Sequence, residues 1–202
     1  MGGNLDMTDL TGLDSVTAKT ASGDVRLARL AANDITTSTA SGNVRASNVR
    51  CSQLNATTMS GDVELSDIEA SEIVKLDTTS GSHLLRGVNT LALNAQIGSG
   101  DILATGVSAV DATFDASSGS VSASFVGSDR EYAIEASSTS GSVHAPAGSA
   151  TASRRVSART MSGDVTLTFS GGGASGSESS APSPSSFPEA PEAPEAPTAP
   201  TF

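Results

Sequence analysis

At 202 residues and a formal net charge of −11, the chain has room for one or two domains and excludes electrostatic capture of nucleic acid. Aromatic residues make up 3% and tryptophan is absent, too little for an aromatic binding platform. One cysteine, Cys51, excludes an internal disulfide, and no apolar run is long enough to span a bilayer, which argues against membrane insertion.

In chain order, the first element is a turn-bearing coil. GGNLDMTDL (Gly2–Leu10) lies over SGDVRLARL (Ser22–Leu30), with Gly3 in the slot of Gly23. Ser-Gly then recurs at Gly23, Gly42, Gly61, Gly81, Gly100, Gly119, Gly141 and Gly163, each preceded by serine. Successive glycines lie 19, 19, 20, 19, 19, 22 and 22 residues apart. The string TMSGDV, at Thr58–Val63 and again at Thr160–Val165, is two copies of this turn.

Between turns, residue types fall into columns. Seven before each glycine stand Val16, Ile35, Leu54, Val74, Leu93, Ala112, Ile134 and Val156. Two after it come Val25, Val44, Val63, His83, Ile102, Val121, Val143 and Val165. The column next to the first of these is polar: Thr17, Thr36, Asn55, Lys75, Asn94, Thr113, Glu135 and Ser157. This alternation has period two, the mark of a strand with one buried face. Seven after the glycine, Leu30, Val49, Ile68, Val88, Val107 and Val126 predict a second corner that drops another apolar group inside.

A coil of this kind cannot bury its apolar face alone, whereas stacked copies give every inward side chain a like neighbour above and below. The sequence therefore predicts an all-β fold, a parallel β-solenoid (β-helix) over residues 1–169, with about eight coils of 19–22 residues. The general preference of parallel crossovers makes it right-handed. At about 4.8 Å per layer it forms a rod about 40 Å long.

Composition changes after Phe169. SGGGASGSESSAPSPSSFPEAPEAPEAPTAPTF (Ser170–Phe202) holds seven of the eight prolines, four glutamates and no lysine or arginine. It is Gly/Ser-rich and then Pro/Glu/Ala-rich, builds no core, and is expected to be a disordered solubilising tail or a short recognition segment. Subtracting the tail's −4 leaves −7 on the solenoid.

Candidate chemistry is sparse. The residue after each turn glycine is Asp24, Asn43, Asp62, Ser82, Asp101, Ser120, Ser142 or Asp164. Calcium needs six to eight oxygens, and one carboxylate per coil broken by serine does not supply them; hydrogen bonding to nearby turn backbone suits all three residue types. His83 and His144 are 61 residues apart with no partner cluster, so no metal site is expected. Polysaccharide cleavage needs carboxylates or basic groups converging from long loops. The one expanded region, Phe125–Ser138 with Ala145–Ala158, carries Asp129, Arg130, Glu131, Arg154 and Arg155, which are expected to pair across a solvated surface. No catalytic, cofactor-binding or metal residue is assigned; Gly3, Gly23, Gly42, Gly61, Gly81, Gly100, Gly119, Gly141 and Gly163 are assigned as structural turn residues. Leu84 and Leu103 interrupt an outward polar column on adjacent coils, marking an apolar strip open to a partner or to the tail.

The recurrent T-x-S-G-D-V turn, closing on RTMSGDVTLTF (Arg159–Phe169), resembles a bacterial adhesin-like β-solenoid domain family of unknown function. The resemblance implies a non-enzymatic surface or envelope module and transfers no site residue, because the matching positions are structural. Bactofilin-like filament subunits, with end-to-end self-association, are the second analogy. A protein or cell-surface partner is expected in the first case. Compartment stays open: cytoplasmic if Met1 is the authentic start, envelope or surface if the start is truncated.

Overall fold

The period-two columns become a stack of parallel ladders. The computed structural model describes residues 3–171; Met1, Gly2 and the tail from residue 172 onward, with what was expected of it, lie outside the described residues. Twelve strands make one sheet: β1 (Leu5–Thr8), β2 (Leu13–Ser22), β3 (Val25–Ser41), β4 (Val44–Ser60), β5 (Val63–Ser80), β6 (His83–Ser99), β7 (Ile102–Ser118), β8 (Val121–Phe125), β9 (Tyr132–Ser140), β10 (Val143–His144), β11 (Arg154–Ser162) and β12 (Val165–Phe169). One 3₁₀ turn, Asp129–Glu131, is the only helical element among the described residues.

Pairing is parallel and in register with the sequence columns. Val25 lies on Val44, Val44 on Val63, Val63 on His83 and His83 on Ile102. Ile35, Leu54, Val74, Leu93 and Ala112 form the matching file on the other face, and all are buried. Each buried Val or Leu contributes about 1.5–3 kcal/mol, so a coil is held by its neighbours rather than by itself. The twentieth residue of the Gly61–Gly81 coil is taken up between Glu69 and Ile73, where the register of β5 against β6 shifts.

Two positive-φ corners recur from coil to coil, of which the sequence showed one plainly. The Ser-Gly turn is closed by bonds between layers, such as Gly42 N–H to Ser60 O at 2.9 Å. The second corner, marked in sequence only by the apolar residue after it, is a single left-handed residue: Asp9, Arg29, Asn48 and Asp67 have φ of 58, 52, 53 and 55°, and Gly87 and Gly106 continue that file. The extra residue of β5 is felt on its other side too, where the β4–β5 register shifts between Cys51 and Gln53. Leu30, Val49, Ile68, Val88 and Val107 point inward just past the second corner. Val126, expected there too, is 49% exposed, because at that point the chain leaves its coil.

The departure changes the layer order. On the face after the turn the strands stack as β1-β3-β4-β5-β6-β7-β8-β12-β10, and on the other face β11 sits between β7 and β9. The chain thus skips a layer after β8, builds the outermost layer with β9 and β10, then returns through residues 145–153. It fills the gap with β11 and β12. The two 22-residue spacings are the length needed for this detour. Phe114, Phe125, Tyr132 and Phe169 meet where it closes, with Phe125 stacked on Phe169 at 5.3 Å and Tyr132 5.2 Å from Phe169.

Candidate functional site

The Ser-Gly turn is the most repeated feature of the surface, and its geometry explains its residues. Gly61 has φ of +142°, and a Cβ placed on it would overlap the carbonyl of Gly42 in the layer below. The same overlap recurs up the stack from Gly23, against Gly3, to Gly141, which lies over Gly163 and not over Gly119. Both the backbone angle and the close approach exclude a side chain here.

Two side-chain files tie this turn together. Buried threonines three residues before the glycine donate to the glycine carbonyl of the layer beneath: Thr39 to Gly23 and Thr58 to Gly42 at 3.4 Å, and Thr160 to Gly119 at 2.9 Å. The residues after the glycine accept from the next layer. Asp24 Oδ1 takes the Asn43 N–H, Asn43 Oδ1 the Asp62 N–H, Asp62 Oδ1 the Ser82 N–H and Asp101 Oδ1 the Ser120 N–H, each at 2.8 Å. The sequence reading expected these side chains to serve their own turn. They bond 19 or 20 residues away instead, because in-register stacking puts that amide nearer.

Spatial order also completes a charge pattern that chain order breaks after Ser120. Read layer by layer, the file runs Asn4, Asp24, Asn43, Asp62, Ser82, Asp101, Ser120, Asp164, Ser142. Aspartate alternates with a neutral residue throughout. Adjacent carboxylates would stand about 4.8 Å apart, where like charges repel; alternation doubles that spacing. In chain order Ser120 is followed by Ser142, and only the interleaved layers restore the pattern.

Midway along the ridge lies an apolar depression of about 330 Å³. Leu84 and Leu103 are ladder neighbours at its floor, and Leu103 is 44% exposed. Asp62, Glu64 and Asp101 stand at its edge. Glu64 is engaged by Arg45 at 3.3 Å and by Arg86 at 4.0 Å. Asp62 and Asp101 each spend one oxygen on a backbone amide and have no ion-pair partner among the described residues.

His83, which lines the depression, occupies the buried valine column and is 1% exposed. Its Nε2 lies 2.7 Å from Thr78 Oγ1, while its Nδ1 has no partner. Burial pushes the imidazole down to about 4, with Asp77 and Asp62 pulling more weakly the other way. Thr78 therefore turns to the ring where its counterparts hold a glycine carbonyl.

The expanded region brings Glu131 and Arg154 to 3.6 Å, and the Arg154 guanidinium lies over the Tyr132 ring and bonds its hydroxyl at 3.0 Å. These charges clamp the interleaved layers. Cys51 is half-buried, and its thiol is pushed up to about 11 by burial and, to a lesser extent, by Asp34. No group of three histidine, cysteine or carboxylate side chains able to hold a metal occurs among the described residues.

A family model described as Toastrack DUF4097 matches residues 5–168. The chain belongs to the Toastrack family. This is a family of unknown function, and the match covers the whole interleaved solenoid, including the return of β11 and β12. No curated protein and no solved structure matches the chain. Toastrack membership accounts for the fold and leaves the adhesin description as a proposal.

Proposed function

We propose that this Toastrack domain is a non-enzymatic scaffold, a rigid rod that presents binding surfaces in the manner of an adhesin-like module at a bacterial surface or envelope. The observation that carries this reading is where the repeated polar groups go. Asp24, Asn43, Asp62 and Asp101 hold backbone amides, and Thr39, Thr58 and Thr160 hold glycine carbonyls. Groups committed to layer-to-layer bonds are poor acids, bases or nucleophiles, whereas they fix the outward columns at a constant pitch. Purified protein is expected to give no turnover of chromogenic ester, phosphoester or glycoside substrates above a heat-denatured control. Turnover abolished by one substitution on the solenoid overturns the reading.

A second reading, end-to-end assembly of bactofilin type, draws on the first layer. Among the described residues β1 and β2 are paired on one side only, to β3, and free strand edges template pairing. The other end works against it: Ser149 N–H bonds the Tyr132 carbonyl at 2.8 Å, holding the returning segment with Pro146 against β9. Sedimentation velocity across a hundredfold concentration range decides between them. A constant monomer coefficient removes the filament.

A further inference from the structure

Among the described residues, the Leu84–Leu103 depression is where the ridge pattern, an apolar pair of which Leu84 is half-buried and Leu103 exposed, and free charge coincide. We propose that it docks a basic segment of a partner protein, extended as polyproline II along the rod axis, with a cation at every third residue and an apolar side chain between. This rests on the scaffold reading and names the partner's chemistry.

The spacing argues for it. Asp62 and Asp101 are two layers apart, about 9.6 Å at the usual pitch, and a polyproline II helix advances about 9.3 Å in three residues. Alternate residues of a β-strand advance only about 6.7 Å. A cation on each carboxylate therefore brings the intervening residues level with Leu84, in the layer between, and next to Leu103, its ladder neighbour in the layer of Asp101. The remaining oxygens of Asp62 and Asp101 meet no basic side chain among the described residues, so the charge facing the partner is negative.

The same charge selects against the other occupants. Ser170–Phe202 has four glutamates and no basic residue, so its approach brings like charges together. A second copy offering the same patch sets Asp62 and Asp101 against their own kind.

The repeat supplies benign variants. Ser122 occupies the Leu84–Leu103 column one layer on, and Asn43 does the work of Asp62 in its own layer. Leu84→Ser with Leu103→Ser, and Asp62→Asn with Asp101→Asn, therefore keep the fold, checked by an unchanged melting temperature. The probe is a fluorescein-labelled KPLKPLKPL peptide, read by anisotropy against the full chain, beside EPLEPLEPL and the clustered-charge isomer KKKPPPLLL. The periodic basic peptide is expected to bind, and each double variant to weaken it at least about tenfold. The acidic peptide is expected not to bind, and the clustered isomer to bind less tightly. No binding of the periodic peptide at millimolar concentration, equal binding of the clustered isomer, or unchanged binding by the leucine variant overturns the proposal. So does a concentration-dependent dimer that the leucine variant abolishes, which makes a second copy the occupant. None of these results touches the scaffold reading, which falls only on turnover.

Discussion

At the scale of single residues, the turn glycine and its neighbour separate backbone need from side-chain need. Gly61 is held at φ +142° against the Gly42 carbonyl, so Gly61→Val meets both a disfavoured backbone angle and a collision with main chain. It is expected to cost about 3 kcal/mol or more. Asp62→Ser keeps an acceptor of the kind Ser120 Oγ offers the Asp164 N–H at 3.2 Å, and is expected to cost less than about 1 kcal/mol. Urea melts of the two variants test the order, and a larger loss for Asp62→Ser refutes it. His83 gives a pH test. The unfolded imidazole titrates near 6.5 and the folded one near 4, so between those values the unfolded state holds a proton that the folded state lacks. Stability from this site is full above pH 6.5 and is lost as pH falls toward 4. His83→Val, which restores the column residue, is expected to raise stability more at pH 5 than at pH 7.5. An equal gain at both pH values shows that burial of the ring is not what the variant relieves.

At the scale of elements, the strands were legible because their cause is local. Alternation around each Ser-Gly pair sets which side chains face in, and Val25, Leu54, Leu65 and Val74 are buried where the columns put them. The left-handed corner was only half legible: Arg29, Asn48 and Asp67 share a backbone angle but no residue type, so the column carries no compositional mark. The layer order was hidden for a different reason. Any coil of this pattern fits on any other, and which pair meets is decided by side chains brought together from distant positions. Tyr132 shows this: it is fully buried between Phe125 and Phe169, 37 residues apart from the latter in sequence, with its hydroxyl on Arg154. Of the candidate site, Leu84 and Leu103 stood out as apolar residues in a polar column. The alternating aspartates were legible only as far as Ser120, since beyond it their order exists only after interleaving. Tyr132→Ala is expected to cost about 3–5 kcal/mol and to loosen β9 and β12 together. Loss of amide protection in β9 alone refutes the shared lock.

At the scale of the whole molecule, stability in a stacked repeat is a sum over layers and their interfaces, so opening starts where a layer has one neighbour and little to hold it. The two ends differ. Among the described residues the first layer rests on β3 alone, with Leu10 and Leu13 each 38% exposed and Leu5 and Met7 only partly buried. The last layer also has a single neighbour, β9 on β11 and β10 on β12, but the chain runs on from it through residues 145–153 into that neighbour, which tethers it at both of its ends. That end is further closed by the aromatic cluster and by the Glu131–Arg154 pair. Rods of this kind are expected to unravel from the first layer, and the interleaved end serves as the stop that a strand-by-strand stack otherwise lacks. Native-state hydrogen exchange tests this directly. Amides of β1 and β2 are expected to exchange through local opening at low denaturant, those of β4 to β7 near the global limit, and those of β9 and β11 together at nearly the same free energy as β7. Exchange of β9 as fast as β2 removes the interleaved layers as a lock and leaves two frayed ends of equal weakness.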